Sequence, residues 1–550
     1  MRRKLRAGSS GKACSFARWQ IAHGRQFQCE VSGLGNESHS PLCQAQSWKS
    51  MRKNASAGES EKHELGISPE EKAADIPYIN EYCSTRHRGV VKCEWTIDKG
   101  RILRSTKAFK QGEIIFQEPP LHIVAEQVGN GAFDRLQQLC ESDANTFDYE
   151  PLWYWTALCS LRNVQLPRSE SRLQSISEDQ QRKLLLLYHS DITEASEASI
   201  CLVKELCLGD TLDALDLEHL LQVWILNCFE HSDNPLGYST YFMSSFMSHS
   251  CLPNAVWHYD GDDFVLRARR DIAVDDEISV SYLSEDALLE SIPVRRKHLK
   301  DSKHFFCQCS RCCGKRDQSR GFRCPVSTCG ATLFVGSCGD SVALSKQLEI
   351  LTCIECSSCG HRVQEDEATQ LLQEEQWLES RLEQLERRLE KSGMAKLMGP
   401  IEEACERGEK SLVQHWLLDK CWHMLSDIYN HGTRQKDAEE LMRRRITFQE
   451  GAYPGLSGTR AWTLETYADM LLKHHGVAID PQIVVPNEAI AKRIKLLVPP
   501  VFEDALGILR LMFGEKHEYY TSVERKQQEL TLELRRLLLP GGAHVRGSGG

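Results

Sequence analysis

Ser248-His249-Ser250-Cys251-Leu252-Pro253-Asn254, Asp276-Glu277-Ile278-Ser279-Val280-Ser281-Tyr282 and Cys307-Gln308-Cys309-Ser310-Arg311-Cys312 share one 65-residue window. The middle segment alternates apolar and polar residues, which predicts a strand over Glu277 to Tyr282. On that reading Ile278, Val280 and Tyr282 share one face, and Ser279 and Ser281 share the other. The last segment packs three thiols into six residues. That spacing can wrap one zinc ion but leaves the fourth tetrahedral ligand to come from elsewhere. Cys313 is adjacent in sequence and points poorly for the purpose.

Immediately upstream, Ala255 to Tyr259 and Phe264 to Ala268 flank Asp260-Gly261-Asp262. Asp-Gly between two alternating runs is a hairpin signature. Short strands are also predicted at Arg101-Ile-Leu-Arg104, at Glu113-Ile-Ile-Phe-Gln-Glu118 after the Gln111-Gly112 turn, and at Leu121-His-Ile-Val124. Between these and the central window, residues 130 to 230 read as helical, with Leu- and Trp-rich segments at Pro151–Leu158 and Leu220–Asn227. Asp275 and Asp276 fall in a strand-entry turn, where solvated carboxylates are expected.

Downstream, Cys324, Cys329, Cys356 and Cys359 form two short pairs with 26 residues between them. This is the spacing of a zinc ribbon. Cys353 is an alternative to Cys359, because 353, 356 and 359 are evenly spaced. Gly330 and Gly360 follow the last cysteine of each pair, as tight knuckles require, and favour Cys359. Beyond this, Leu378, Leu382, Leu385 and Leu389 mark an amphipathic helix, with Glu383 four residues before Arg387. Further helices, without a strand signal, extend to about 540. The pair His474-His475 has no frame of metal-ligating neighbours and is assigned to a helix end.

Composition excludes several classes. The 550 residues are 41% hydrophobic and 26% charged, which suits a multidomain globular protein and excludes global disorder. With 67 Lys and Arg against 77 Asp and Glu, the net charge of −10 provides no overall basic field for nucleic acid. No apolar run reaches the roughly 18 residues a spanning helix needs, so no membrane partner is expected. The 23 cysteines follow no apolar signal segment, so reduced thiols and metal ligation are expected rather than a disulfide framework. Residues 1–75 read as a disordered basic leader, dispensable for folding. Seven Arg or Lys precede Glu30, which keeps a mitochondrial transit segment as the less favoured alternative.

The central motifs, taken with Phe264-Val-Leu-Arg-Ala-Arg-Arg-Asp-Ile272, Lys99-Gly-Arg-Ile-Leu-Arg-Ser-Thr106 and Gly112-Glu-Ile-Ile-Phe-Gln-Glu-Pro-Pro120, resemble a SET-domain protein-lysine methyltransferase. Helices between two halves, and a tail containing Ala505-Leu-Gly-Ile-Leu509 and Gly514-Glu-Lys-His517, are similar to the SET-and-MYND (SMYD) group. The resemblance covers about residues 95 to 535. It departs from that group in having Ser248 where the family has an Asn that helps hold S-adenosylmethionine. It also lacks the cysteine spacing of a MYND finger, and in this is similar to the apical complex lysine methyltransferases of apicomplexan parasites.

The resemblance implies an α+β multidomain chain. A β-rich SET core would span 90–305 with a helical insertion at about 128–230. A zinc-binding post-SET region and ribbon would span 306–365, and an α-helical TPR-like domain 366–540. Lys99, Gly100, Arg101, Asn227, Ser248, His249 and Phe305 would line S-adenosylmethionine, and Tyr282 would be the catalytic tyrosine. Cys251 would join Cys307, Cys309 and Cys312 around one zinc, giving about two zinc ions in all.

The implied activity is methyl transfer to a lysine of a protein substrate, with cytoplasmic or nuclear residence, including association with the cytoskeleton. Oligomeric state is not legible. Methyl transfer needs an aligned sulfonium and a neutral amine, and a tyrosine hydroxyl at the inner end of an apolar channel can orient that amine. A plain core tyrosine is the alternative for Tyr282, and a packed histidine rather than a general base is expected at His249. A non-catalytic scaffold that keeps the zinc sites is the rival function. Nucleic-acid binding through the ribbon is disfavoured by the charge.

Overall fold

The computed structural model describes residues 74–162, 176–190, 192–208, 212–337, 344–392 and 394–538. The expected basic leader lies outside the described residues up to position 73. Chain order begins with α1 (Ile76–Arg86), then β1 (Val91–Thr96), β2 (Gly100–Ser105), β3 (Ile114–Glu118) and β4 (His122–Ala125). The helical insertion follows as α2 (Gly131–Ser142), α3 (Pro151–Cys159), α4 (Glu178–Leu185), α5 (Glu197–Glu205) and α6 (Ala214–Asn227). Local chemistry sets its boundaries. Asn130 accepts the Ala132 N–H, Pro151 opens α3, and Ser177 with Gln180 forms a reciprocal cap on α4. Helix α3 is buried from Leu152 through Cys159, the pattern of a helix surrounded by protein.

The chain then returns to strands as β5 (Phe229–Asp233), β6 (Leu236–Thr240), β7 (Ser248–His249), β8 (Ala255–Asp260), β9 (Asp263–Ala268) and β10 (Glu277–Val280). Three small sheets result, in the orders β1-β2-β10-β7, β3-β9-β8 and β4-β6-β5. The Asp260-Gly261 hairpin forms as expected, with Gly261 at φ +62°. The expected strand at Glu277–Tyr282 forms only in part: β10 runs from Glu277 to Val280, short of Tyr282, and Ser279 is buried along with Ile278 and Val280. Its sequence alternates, but β2 and β7 flank it on both edges and it is enclosed on both faces.

After α7 (Ile292–Lys303) come β11 (Arg320–Arg323), β12 (Thr332–Phe334) and α8 (Leu344–Thr352). The helical half comprises α9 (Glu365–Ser392), α10 (Met398–Ser411), β13 (Leu412–His415), α11 (Trp416–His431), α12 (Gln435–Ala452), α13 (Gly458–His474), α14 (Glu488–Ile494), α15 (Pro499–Met512) and α16 (Glu518–Leu538). Strand β13 corrects the expectation of a tail without strands. It joins the ribbon in the order β12-β11-β13, so a segment from the helical half completes the ribbon's sheet. Four residues between two helices carry too little periodicity to be read as a strand. The expected amphipathic helix is α9, with Leu378, Leu382 and Leu385 buried.

Two hydrophobic cores organise the molecule. One gathers α1 to β10 around Phe133, Trp155, Trp224 and Phe264; the other joins the cysteine-rich region to the helical half. Tyr282 packs against both.

Candidate active site and metal centres

The parallel pairing of β7 with β10 sets Ser248 beside Ser279 and His249 beside Val280. On the other edge of β10, β2 brings Leu103 and Arg104 to Ile278 and Glu277. Three segments distant in sequence therefore meet at Glu277. Lys99 Nζ lies 2.8 Å from both Glu277 carboxylate oxygens, and the Ser248 hydroxyl donates to Oε1 of the same carboxylate. Gly100 turns the chain at φ +70°, and the Trp95 ring lies 3.6 Å from where a β-carbon would stand. A side chain there would be strained by the positive φ, so the backbone stays bare between Lys99 and Arg101.

Asn254, not singled out in the sequence, fastens the 248–254 loop to β10. Its Nδ2 donates to the Glu277 carbonyl, and its Oδ1 accepts the Ser279 N–H, both at 2.8 Å. Its place at the end of the opening motif was the available signal. Leu186 and Tyr188 were also missed. The Leu186 carbonyl accepts from Arg101, and the Tyr188 carbonyl accepts from Asn227 Nδ2 at 2.7 Å. This short segment holds two expected cofactor residues that are 126 positions apart. Lys303 Nζ reaches the Leu226 carbonyl at 3.2 Å, tying the end of α6 to the approach to Phe305.

His249, Tyr282 and Phe305 form one aromatic cluster. Ring centroids lie 5.3 Å apart for His249–Tyr282, 5.8 Å for His249–Phe305 and 6.3 Å for Tyr282–Phe305. Burial pushes the His249 ring down to about 3, so it is a neutral packed group and not a proton carrier near neutrality. Burial, with the Glu277 charge adding to it, pushes the Tyr282 phenol well above its ordinary value. That phenol stays protonated and donates to the Met247 carbonyl. Its oxygen is then the acceptor it offers a ligand.

Both cysteine clusters assemble as expected. Cys251, Cys307, Cys309 and Cys312 place their sulfurs within 4.8 Å of one another, as do Cys324, Cys329, Cys356 and Cys359. The Cys251–Cys312, Cys324–Cys359 and Cys329–Cys356 separations are 3.5, 3.7 and 3.6 Å. A tetrahedral site with Zn–S bonds of 2.3 Å has edges of about 3.8 Å, whereas a disulfide needs about 2 Å. The surroundings also suit thiolates. The Cys251 N–H points at Cys309 Sγ at 3.4 Å, and the fully buried Arg295 holds Nη2 3.8 Å from Cys312 Sγ. Cys313 and Cys353 are exposed and outside both clusters, and Gly330 and Gly360 adopt φ +66° and +71° at the knuckles. His474 ends α13 with Nδ1 2.8 Å from Glu439, a structural contact. Among the described residues no helix is long and apolar enough to cross a membrane.

Residues 100–283 match the family described as the SET domain. Among curated relatives, the histone-lysine N-methyltransferase ASHR1 of Arabidopsis thaliana is 24% identical over 263 residues, covering 39% of this chain and 53% of the relative. Human histone-lysine N-methyltransferase SMYD3 is 42% identical over 77 residues, 14% of this chain and 17% of the relative. N-lysine methyltransferase SMYD2-B of Xenopus laevis is 23% identical over 274 residues, 40% and 59% of the two chains. The chain thus spans less than two thirds of the length of each of these relatives. A solved structure of Rubisco LSMT bound to AdoMet aligns over 69% of this chain and 94% of that chain, at 13% identity and a TM-score of 0.24. Residues 100–283 are thus similar to a SET domain, and the relatives they resemble are lysine methyltransferases of the SMYD and ASHR1 type.

Proposed function

We propose that this protein transfers a methyl group from S-adenosylmethionine to the side-chain amine of a lysine in a protein substrate. The carrying observation is the cluster of His249, Tyr282 and Phe305 at the meeting of the two cores, approached by Lys99–Arg101 and Ser248. Methyltransferase names among the SET relatives support the same reading. When bound, S-adenosylmethionine supplies an electrophilic methyl on a sulfonium.

The chain's own residues do the rest. Lys99, Gly100, Arg101, Asn227, Ser248, His249 and Phe305 would hold the cofactor. Lys99 and Arg101 flank a bare glycine backbone, and the partly buried Phe305 ring offers a stacking face. Tyr282 fixes the direction of the incoming amine through its hydroxyl oxygen, because its proton is committed to Met247. Apolar surroundings for the amine would favour its neutral form over the ammonium, so no dedicated base would be required. Two zinc ions at the cysteine clusters would brace the site, and the helical half is read as TPR-like.

The test is calorimetric titration of the full chain with S-adenosylmethionine, followed by labelled-methyl incorporation into protein lysates. Saturable binding and label on lysine are expected. Absence of cofactor binding would overturn the proposal in favour of a scaffold that keeps the fold and the cysteine sites.

A further inference from the structure

The ladder between β7 and β10 ends at Val280, whose carbonyl accepts the Ser250 N–H at 2.9 Å. Beyond it, a side chain takes over: the Tyr282 amide donates to His249 Nδ1 at 2.9 Å. The other ring nitrogen, Nε2, lies 3.3 Å from Cys251 Sγ. His249 is buried, so both contacts form without competing water.

The amide fixes the direction of the whole chain of bonds. A backbone N–H can only donate, so Nδ1 carries no proton and accepts. The neutral ring then carries its proton on Nε2 and donates it to the Cys251 sulfur. A thiolate drawn into a tetrahedral cluster is a fixed acceptor for that proton, whereas a free thiol can rotate and donate in turn. The metal cluster and the aromatic cluster thus share one imidazole, with no other atom between them.

We infer that His249 is a positioning residue that couples the Cys251 thiol cluster to Tyr282. The inference rests on Tyr282 being the active-site tyrosine. Filling of the cluster fixes the acceptor for the Nε2 proton and so holds the ring in place, the ring holds the Tyr282 backbone, and the hydroxyl thereby keeps its place. Loss of the metal releases Tyr282 through the His249 ring.

Two variants of the full chain separate the two bonds. His249→Asn keeps an acceptor near the Nδ1 position and loses the donor to Cys251. His249→Gln keeps a donor near the Nε2 position and loses the acceptor for Tyr282. Zinc transfer to a chromophoric chelator should accelerate about tenfold or more in His249→Asn, from one of the two sites, and stay near wild type in His249→Gln. Turnover should fall about tenfold or more in His249→Gln and less in His249→Asn, which keeps the acceptor for the Tyr282 amide. Nitrogen-15 histidine spectra of the zinc-loaded wild type should show His249 protonated at Nε2, and zinc stripping should move that signal.

A wild-type ring protonated at Nδ1, or zinc transfer equal in both variants, would overturn the coupling. The tautomer and zinc readouts decide it even if no methyl transfer is found or a variant fails to fold. Failure of the proposed activity therefore remains separable.

Discussion

Arg269 and Glu285 form a two-pronged buried ion pair, Nη1 to Oε1 at 2.6 Å and Nη2 to Oε2 at 2.9 Å, and both ends also grip the helical half. Arg269 Nε donates to the Leu456 carbonyl at 2.9 Å, and Glu285 Oε2 accepts the Gly458 N–H at 2.8 Å. The Tyr453 ring lies 5.0 Å from the guanidinium carbons of both Arg269 and Arg311. The pair is therefore the pin between the β-rich half and the loop from α12 to α13.

Removing one member leaves the other charge buried without its partner, a loss of about 3–5 kcal/mol. Arg269→Met and Glu285→Gln should each lower the midpoint of chemical unfolding strongly. The double substitution should cost less than the sum, because no lone charge remains. Strictly additive losses would show that the two residues do not act as a pair.

The two cysteine centres differ in exposure, and that difference sets the order in which they lose metal. Cys251, Cys307 and Cys312 are buried, while Cys359 is exposed and Cys329 partly so. Purified protein should hold about two zinc ions per chain. A competing chelator should take them in two phases, the faster from Cys324, Cys329, Cys356 and Cys359. Cys359→Ser should abolish the fast phase and spare the slow one. Metal analysis that finds no zinc in freshly purified protein would refute both sites.

Much of this site was legible because its parts are local in sequence. Cysteine spacing marked the ribbon cluster and three thiols of the other, the resemblance supplied Cys251, and the glycines after Cys329 and Cys359 correctly favoured Cys359 over Cys353. The resemblance pointed to Tyr282, but alternation placed it on a strand that ends at Val280. The residue past the strand is held by the His249 ring, an arrangement no periodicity encodes. The Leu186 and Tyr188 carbonyls act through backbone atoms and leave no side-chain trace. Arg269 and Gly458 are 189 positions apart, so their shared partner Glu285 could be found only in three dimensions.

A second buried network predicts acid sensitivity. Glu375 on α9 takes Arg320 Nε at 2.7 Å and His415 Nε2 at 3.1 Å, joining the ribbon sheet to the long helix. Burial pushes this carboxyl up, but the Arg320 charge and then the His415 hydrogen bond outweigh it and hold it at about 2. Its folded value lies below the ordinary 4.5, so the folded state favours the ionised form. The stabilisation is present above about pH 4.5 and is lost as pH falls toward 2, on the order of 3 kcal/mol in all. Glu375→Gln should destabilise the protein at neutral pH and flatten the acid limb of its stability profile. An unchanged acid limb would remove Glu375 as its cause.

Tyr282→Phe isolates one hydroxyl. The ring keeps its contacts with His249 and Phe305 and its place between the two cores, so the cost in stability should be about 1 kcal/mol. The Tyr282 amide still reaches His249, and Lys99, Ser248 and Glu277 are untouched, so affinity for S-adenosylmethionine should change little. What disappears is the oxygen that would receive the lysine amine, together with the bond to the Met247 carbonyl that aims it. Displacement depends on alignment of amine and methyl, so labelled-methyl transfer should fall about a hundredfold or more. Measuring both quantities on one preparation separates catalysis from binding. A variant with full activity would return Tyr282 to the role of a packed core residue, and one that loses cofactor binding would place the hydroxyl on the cofactor instead of the amine.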